Sequence, residues 1–366
     1  MKNKLFFNVI TLVLFFLTSN VILGQKVGEK VLIQYESPHP YHTVDQPSEI
    51  VWTQEITYTE RATTYLSLHF GEFELHEGDR LIVRSPDDTQ RWEYTHEDNK
   101  WDGFWSIPIY GNIAIVEMKS ESSNNAFGYI IDEIVRGYTQ EEMDEVSLPG
   151  GCLNPNDTEN IACYRENEVD VYNKSKVVAR LLLDGNMGCT GWLIGDEGHL
   201  ITNAHCSSEN FPFELAETPN VVVEMMAEGA SCGTNCNFPF ACGGIIIASQ
   251  VIPVKSSIAN DYFLFQLQED DRVKAEPYGY LTLRESGAII GEQIFIPQHP
   301  HKFGKKIAFK STHPEDTDDV CHINEYYTSS SVHPDQIATY GDTFTGSSGS
   351  PVISKNDLCV VGLHHL

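Results

Sequence analysis

Positive charge is in short supply in this 366-residue sequence, where 24 Lys and Arg stand against 52 Asp and Glu for a formal net charge of -28. A chain so acidic offers little to a phosphate backbone or an anionic membrane, which excludes nucleic acid and charged lipid surfaces as partners and favours solubility or cationic substrates. Long apolar runs are equally rare. The run from Leu5 to Leu17 follows Lys2 and Lys4 and precedes Val21-Ile22-Leu23-Gly24. It falls short of the roughly 20 residues that a bilayer span needs, so residues 1–24 read as an export signal and no membrane anchor is expected once it is removed. There is no internal repeat, no long low-complexity tract and little helical periodicity. What the chain does have is 41% hydrophobic and 11% aromatic residues, enough for packed cores in two domains. Export puts its nine cysteines where pairing is the default, and the odd count leaves at least one without an internal partner.

Residues 25–140 alternate in short segments. Leu66, Leu68 and Phe70 share one face of Thr64 to Leu75, Leu81 and Val83 one face of Asp79 to Pro86, and Ile113 to Glu117 follows a turn at Gly111-Asn112. Period two with turn residues between predicts an antiparallel β-sandwich. Trp101, Phe104 and Trp105 are read as core residues, with surface glycan contact as the alternative. Residues 141–151 are charged and rich in turn residues, with Glu141, Glu142, Asp144 and Glu145 before Leu148-Pro149-Gly150-Gly151, and read as a linker suited to a processing cut. From Cys152 to residue 366 strands are expected at Lys176 to Leu183, Gly191 to Ile194, His199 to Asn203, Val221 to Met225, Ile245 to Val254, Tyr262 to Leu267, Gln293 to Pro297 and Val360 to Leu363, the spacing of an all-β barrel.

Three stretches carry chemistry. In Gly341 to Val352, G-D-T-F-T-G-S-S-G-S-P-V, Gly346 and Gly349 bracket Ser348, so the backbone can turn sharply and leave one hydroxyl clear of bulky neighbours. Cys189-Thr190-Gly191-Trp192 and Leu200 to Cys206 lie on two strands joined by the turn at Gly195 to Gly198, which brings Cys189 to Cys206 and fixes the turn that presents His205. Asp261 heads an apolar strand, where a carboxylate is placed to hold an imidazole in one tautomer. Asp184 and the Glu269-Asp270-Asp271 run read as solvated loop charges.

The order His205, Asp261, Ser348, with T-N-A-H-C before and G-S-S-G-S-P after, resembles the chymotrypsin-like serine endopeptidases. From Gly151 onward the chain is most similar to the secreted bacterial lysyl endopeptidases. The matching pieces are C-T-G-W, L-I-T-N-A-H-C, N-D-Y-F-L-F-Q-L, the Q-H-P-H at Gln298 to His301 and T-G-S-S-G-S-P-V, and W-D-G-F-W-S resembles their pro-region. The resemblance implies a β-sandwich pro-domain before a double β-barrel, with the triad in the cleft between barrels. Ser348 would be the nucleophile, His205 the general base and Asp261 its orienter, and the amides of Gly346 and Ser348 would form the oxyanion hole. No cofactor is implied, and the partners are protein or peptide substrates.

Specificity divides between two readings. Asp342, six residues before Ser348, stands where trypsin-like enzymes carry the acid for Lys or Arg, and cleavage after basic residues is the expectation. The D-T-x-x-G-x-S-G-S-P arrangement, with Thr343 and His364, is also similar to the glutamyl endopeptidases. A catalytically inactive protease-like binding protein is a third reading. Ser347 stands where an acid would pair with a freed amino terminus, so that mode of activation is not expected. The resemblance further implies a closing strand and helix beyond Leu366, with the partner of Cys152 among them. It leaves Cys163 to pair with one of Cys232, Cys236 or Cys242, the other two to pair together, and Cys321 to pair with Cys359. A zinc site in that cysteine trio is the less favoured reading in an exported chain. His299, His301, His322 and His333 are read as structural or exposed.

Overall fold

The computed structural model describes residues 24–42, 48–120, 123–146, 158–207, 219–316, 318–327 and 336–365. Residues 1–23 of the expected signal, residues 147–151 of the expected linker, Cys152 and His333 lie outside that set. The strands β1 (Gln25–Lys26), β2 (Gly28–Glu36), β3 (Ser48–Thr57), β4 (Tyr65–Glu74), β5 (Arg80–Arg84), β6 (Arg91–Tyr94), β7 (Phe104–Trp105), β8 (Ile109–Tyr110), β9 (Ile113–Ser120) and β10 (Gly128–Gly137) come first. Two antiparallel sheets, β2-β10-β4-β7 and β3-β9-β5-β6, face each other, with β8 also paired to β4. The period-two residues Leu66, Leu68 and Phe70 of β4 meet Leu81, Val83, Val116 and Met118 of the other sheet, all fully buried. Of the aromatic trio, Phe104 fills this core and Trp105 is buried, while Trp101 faces solvent beside Phe127.

The expected linker begins as a helix, α1 (Gln140–Val146). Thr139 starts it, accepting from the Glu142 amide while its own amide donates to the Glu142 carboxylate, the reciprocal pattern of a capping box. One apolar residue, Met143, is fully buried and holds the helix down, which is too little for a periodic signal.

Beyond it run β11 (Thr158–Asn160), α2 (Val169–Ser175), β12 (Val178–Leu183), β13 (Met187–Ile194), β14 (His199–Thr202), β15 (Asn220–Met225), β16 (Ile245–Ser257), β17 (Tyr262–Leu267) and α3 (Glu269–Ala275). The order β13-β12-β15-β16-β17-β14 returns to β13, so six strands close into a barrel. Its interior is Leu181, Leu193, Leu200, Val223, Val251, Phe263 and Phe265. β1 adds to the outside of this barrel along β13, pairing Gln25 with Gly188 and Lys26 with Met187. The second body comprises β18 (Ile294–Gln298), β19 (Lys306–Ala308), β20 (Glu325–Tyr327), β21 (Gln336–Ala338), β22 (Pro351–Ser354) and β23 (Val360–Leu363). Here β11-β19-β18-β22-β23 form a five-stranded sheet that stays open among the described residues, with β20 and β21 as a separate pair. The fold is all-β with a closed barrel of the chymotrypsin type.

Among the described residues three disulfides form: Cys163–Cys232, Cys189–Cys206 and Cys236–Cys242. The expected bridge between Cys321 and Cys359 does not form. The carbonyl of Cys321 accepts from Ile294, Ile294 is opposite Ser354, and Ser354 donates to Cys359. Three backbone spacings of about 4.8 Å therefore separate the thiols, beyond the reach of a disulfide.

Candidate active site

β14 ends in a turn, Ala204–Cys206, whose second residue is His205. The Cys189–Cys206 bridge ties that turn to β13. Asp261 sits at the mouth of β17 with φ of 47°, a left-handed conformation that turns its carboxylate back toward the end of β14. Its Oδ2 lies 2.7 Å from His205 Nδ1, and its Oδ1 accepts from the His205 amide at 3.0 Å. Asn203 Nδ2 donates to the Asp261 carbonyl at 2.8 Å and locks the turn. Burial alone would raise the Asp261 carboxyl, but the hydrogen bonds and charge of His205, with a contribution from His365, outweigh it and hold the carboxyl below its ordinary value. With Nδ1 committed to the carboxylate, the proton-accepting nitrogen is Nε2, which is sealed from solvent and accepts no hydrogen bond from a described residue.

The Ser348 loop is assembled from glycines and threonines. Gly346 and Gly349 have φ of 94° and 90°, a region that costs other residues strain. A methyl group on Gly349 would meet the Thr190 carbonyl at 2.1 Å and Thr202 Oγ1 at 2.3 Å, so the loop lies directly on β13 and β14. Thr190 pins it twice, its amide donating to the Ser348 carbonyl and its hydroxyl to the Gly346 carbonyl, each at 2.9 Å. The Ser348 carbonyl also lies 3.9 Å from Cys206 Sγ, which sets the serine beside the residue following His205. No described residue accepts a hydrogen bond from the amide of Gly346 or of Ser348. Two uncommitted backbone donors are what an oxyanion site requires. Nor does a hydrogen bond join Ser348 to His205, a contact that resting sites often make only when substrate arrives.

Asp342 and Thr343 are buried just ahead of this loop, and the Asp342 carbonyl accepts from Gln298 Nε2 at 2.8 Å. Gln298 in turn accepts from the Ser347 hydroxyl, so Ser347 serves the loop internally. His364 follows β23, where its carbonyl accepts from Gly349 and its amide donates to Ser350. Its Nε2 is sealed without a partner, and burial together with the charges of His365 and His205 pushes its pKa down to about 3. His299 is fully buried, its Nδ1 3.1 Å from the Phe303 carbonyl, a structural role. Thr190, His365 and Lys302 are the participants that sequence reasoning passed over. Lys302 is fully buried, packs its stem on Gly188 and donates to the carbonyls of Leu181 and Cys189. Among the described residues no cluster of His, Cys, Asp or Glu is arranged to hold a metal ion.

A family profile for the trypsin-like peptidase domain matches residues 189–363, a span that contains His205, Asp261 and Ser348. Secreted RxLR effector protein 73 of the oomycete Plasmopara viticola is 32% identical over 366 residues, which cover 95% of this chain and 86% of that protein. Among solved structures, the serine endoprotease from Yersinia pestis aligns with a TM-score of 0.36 at 15% identity over 54% of this chain and 56% of its own. The HtrA-type protease AlgW aligns with a TM-score of 0.37 at 15% identity over 53% and 52%. By its identity to the oomycete relative across nearly its whole length this chain belongs to the same family as that effector, and its residues 189–363 form a trypsin-like peptidase domain.

Proposed function

We propose that the protein is a secreted serine endopeptidase, made with the β-sandwich as a pro-region, that cleaves peptide bonds after basic residues through His205, Asp261 and Ser348. The observation that carries this reading is the imidazole itself. Its Nδ1 is engaged by a carboxylate at 2.7 Å while its Nε2 is kept dry and uncommitted next to a serine loop with two free amides. In the reaction, Ser348 Oγ attacks the scissile carbonyl as its proton passes to His205 Nε2. Asp261 stabilises the imidazolium so formed, and the amides of Gly346 and Ser348 receive the developing negative charge. The proton then goes to the leaving amine, and water repeats the cycle on the acyl-enzyme. The preference for a basic side chain is supported by Asp342, a buried carboxylate six residues ahead of the nucleophile. An acidic side chain would need a cation from His364, and its burial opposes protonation near neutrality.

The test is labelling of the exported, processed protein with a fluorophosphonate, followed by peptide mapping and a library varied at the residue before the scissile bond. Label on Ser348, its loss in Ser348→Ala, and cleavage after Lys or Arg are expected. A Ser348→Ala protein that keeps all its peptidase activity defeats the proposal, and cleavage after Glu would transfer the specificity role to Thr343 and His364.

A further inference from the structure

The edge of β13 beside the Ser348 loop is already occupied by this chain. β1 pairs there with Gly188 and Met187, one and two residues before Cys189 of the bridge behind His205. Gln25 is 5% exposed, and its side chain turns into the site. Its Nε2 lies 3.1 Å from His301 Nδ1, and a methyl group placed on Gly346 would strike its Oε1 at 2.6 Å. That oxygen is sealed from water and accepts no hydrogen bond. A buried, unsatisfied amide oxygen costs about 1–3 kcal/mol, so its position beside Gly346 is held against its own preference.

The elements that hold it belong to the sandwich. Val27 donates to Asn186 at 2.7 Å and accepts from Tyr138 at 2.9 Å, joining the barrel to the end of β10. Behind it, Tyr65, Trp105, Tyr138 and Met143 pack with Leu182, Val222 and Phe240 of the barrel side. On the far side of His301 a cavity of about 300 Å³ is lined by Phe303 and Phe344, and Gln140 and Asp144 of α1 form part of its wall. Both ends of the sandwich thus converge on the loop that carries Gly346.

We propose that β1 is an intrasteric strap: Gln25 and its neighbours occupy the arm of the cleft along β13 where an extended substrate would add as a strand, and the intact chain is latent toward long peptides. The inference rests on the serine endopeptidase reading. An extended peptide binds a sheet edge through its main chain, and only one strand can use the Gly188 edge at a time. Because β1 runs directly into β2, a cut between residues 147 and 157 followed by release of the sandwich would carry the strap away.

The experiment compares three exported proteins held uncut at the linker: the full chain, its Gln25→Ala variant, and a chain whose mature form begins at Val27. Each is titrated with a fluorophosphonate and assayed with an internally quenched peptide that extends several residues to both sides of the scissile bond. Retention of the three disulfides is checked by mass spectrometry. The two altered proteins are expected to turn over the long peptide at least about tenfold faster per protein molecule than the full chain, the factor by which a mostly closed cleft lowers apparent activity. Labelling of Ser348 only in the altered proteins supports the same conclusion. Equal turnover in all three overturns the strap while leaving the endopeptidase intact. Absence of label in all three, and in the protein freed of its sandwich, instead overturns the endopeptidase reading on which the strap depends. If the Val27 chain does not fold, Gln25→Ala decides alone, since it removes only the carboxamide.

Discussion

Asp261 carries two duties in one carboxylate, one oxygen on the His205 amide and the other on its ring. Asp261→Asn keeps the shape but removes the acceptor that fixes the tautomer. Turnover should fall by on the order of 10⁴ with little change in KM, measured at substrate saturation after active-site titration. His364 makes a prediction of opposite character. Its folded pKa, about 3, lies below the ordinary histidine value, so the unfolded chain binds the proton first as the pH drops. The stability associated with this buried neutral ring is whole above about pH 6.5 and is lost as the pH falls toward 3. His364→Gln should therefore shift the acid unfolding midpoint, followed by tryptophan fluorescence, to lower pH. An unchanged or higher midpoint would contradict it. At this scale the triad candidates were legible because local motifs flank them. Gln25 was not legible, because its partner His301 is 276 residues away and no local pattern links them.

The Ser348 loop works as an element because it is laid flat on β13 and β14. Gly349→Ala would incur about 1–2 kcal/mol for the left-handed conformation alone. It would also drive a methyl group into the Thr190 carbonyl, a backbone atom with no freedom to yield. Loss of phosphonate labelling is expected along with a lower melting temperature, whereas the exposed Gly233, with open space around it and no left-handed φ, should accept alanine with labelling unchanged. Strands with a clean apolar pattern were read with their bounds intact, as for Tyr262–Leu267 and Val360–Leu363. β13 begins four residues before the Gly191 that the pattern suggested, since Met187-Gly188-Cys189-Thr190 pairs through its backbone with β12. α1 escaped because a capping box and a single buried methionine replace an apolar face. The thiols of Cys321 and Cys359 were misjudged for a related reason, since their separation is set by sheet order and not by spacing along the chain.

Across the whole molecule, the closed barrel and the second sheet are joined by buried cations that no periodicity announces. Arg180 of β12 is 1% exposed and donates its Nε to Glu224 of β15 at 2.8 Å. Its Nη1 donates to the carbonyls of Ala241 and Lys302, reaching two loops that approach from outside the barrel. Removing one partner of such a buried pair leaves the other charged in a dry setting. Arg180→Met should therefore lower unfolding stability by about 3–5 kcal/mol, read from denaturant midpoints at constant slope. Glu224→Leu in the same chain should restore part of that loss by deleting the orphaned carboxylate. Recovery should stop short of the parent, because the Ala241 and Lys302 carbonyls and the Gly244 amide, which donates to Glu224 at 2.7 Å, would all lack their present partners. Full recovery would mean that the pair serves the barrel alone. Partial recovery, accompanied by slower phosphonate labelling of Ser348, would show that Arg180 also holds the loop carrying His301 and Lys302 in place against the Gly346 turn.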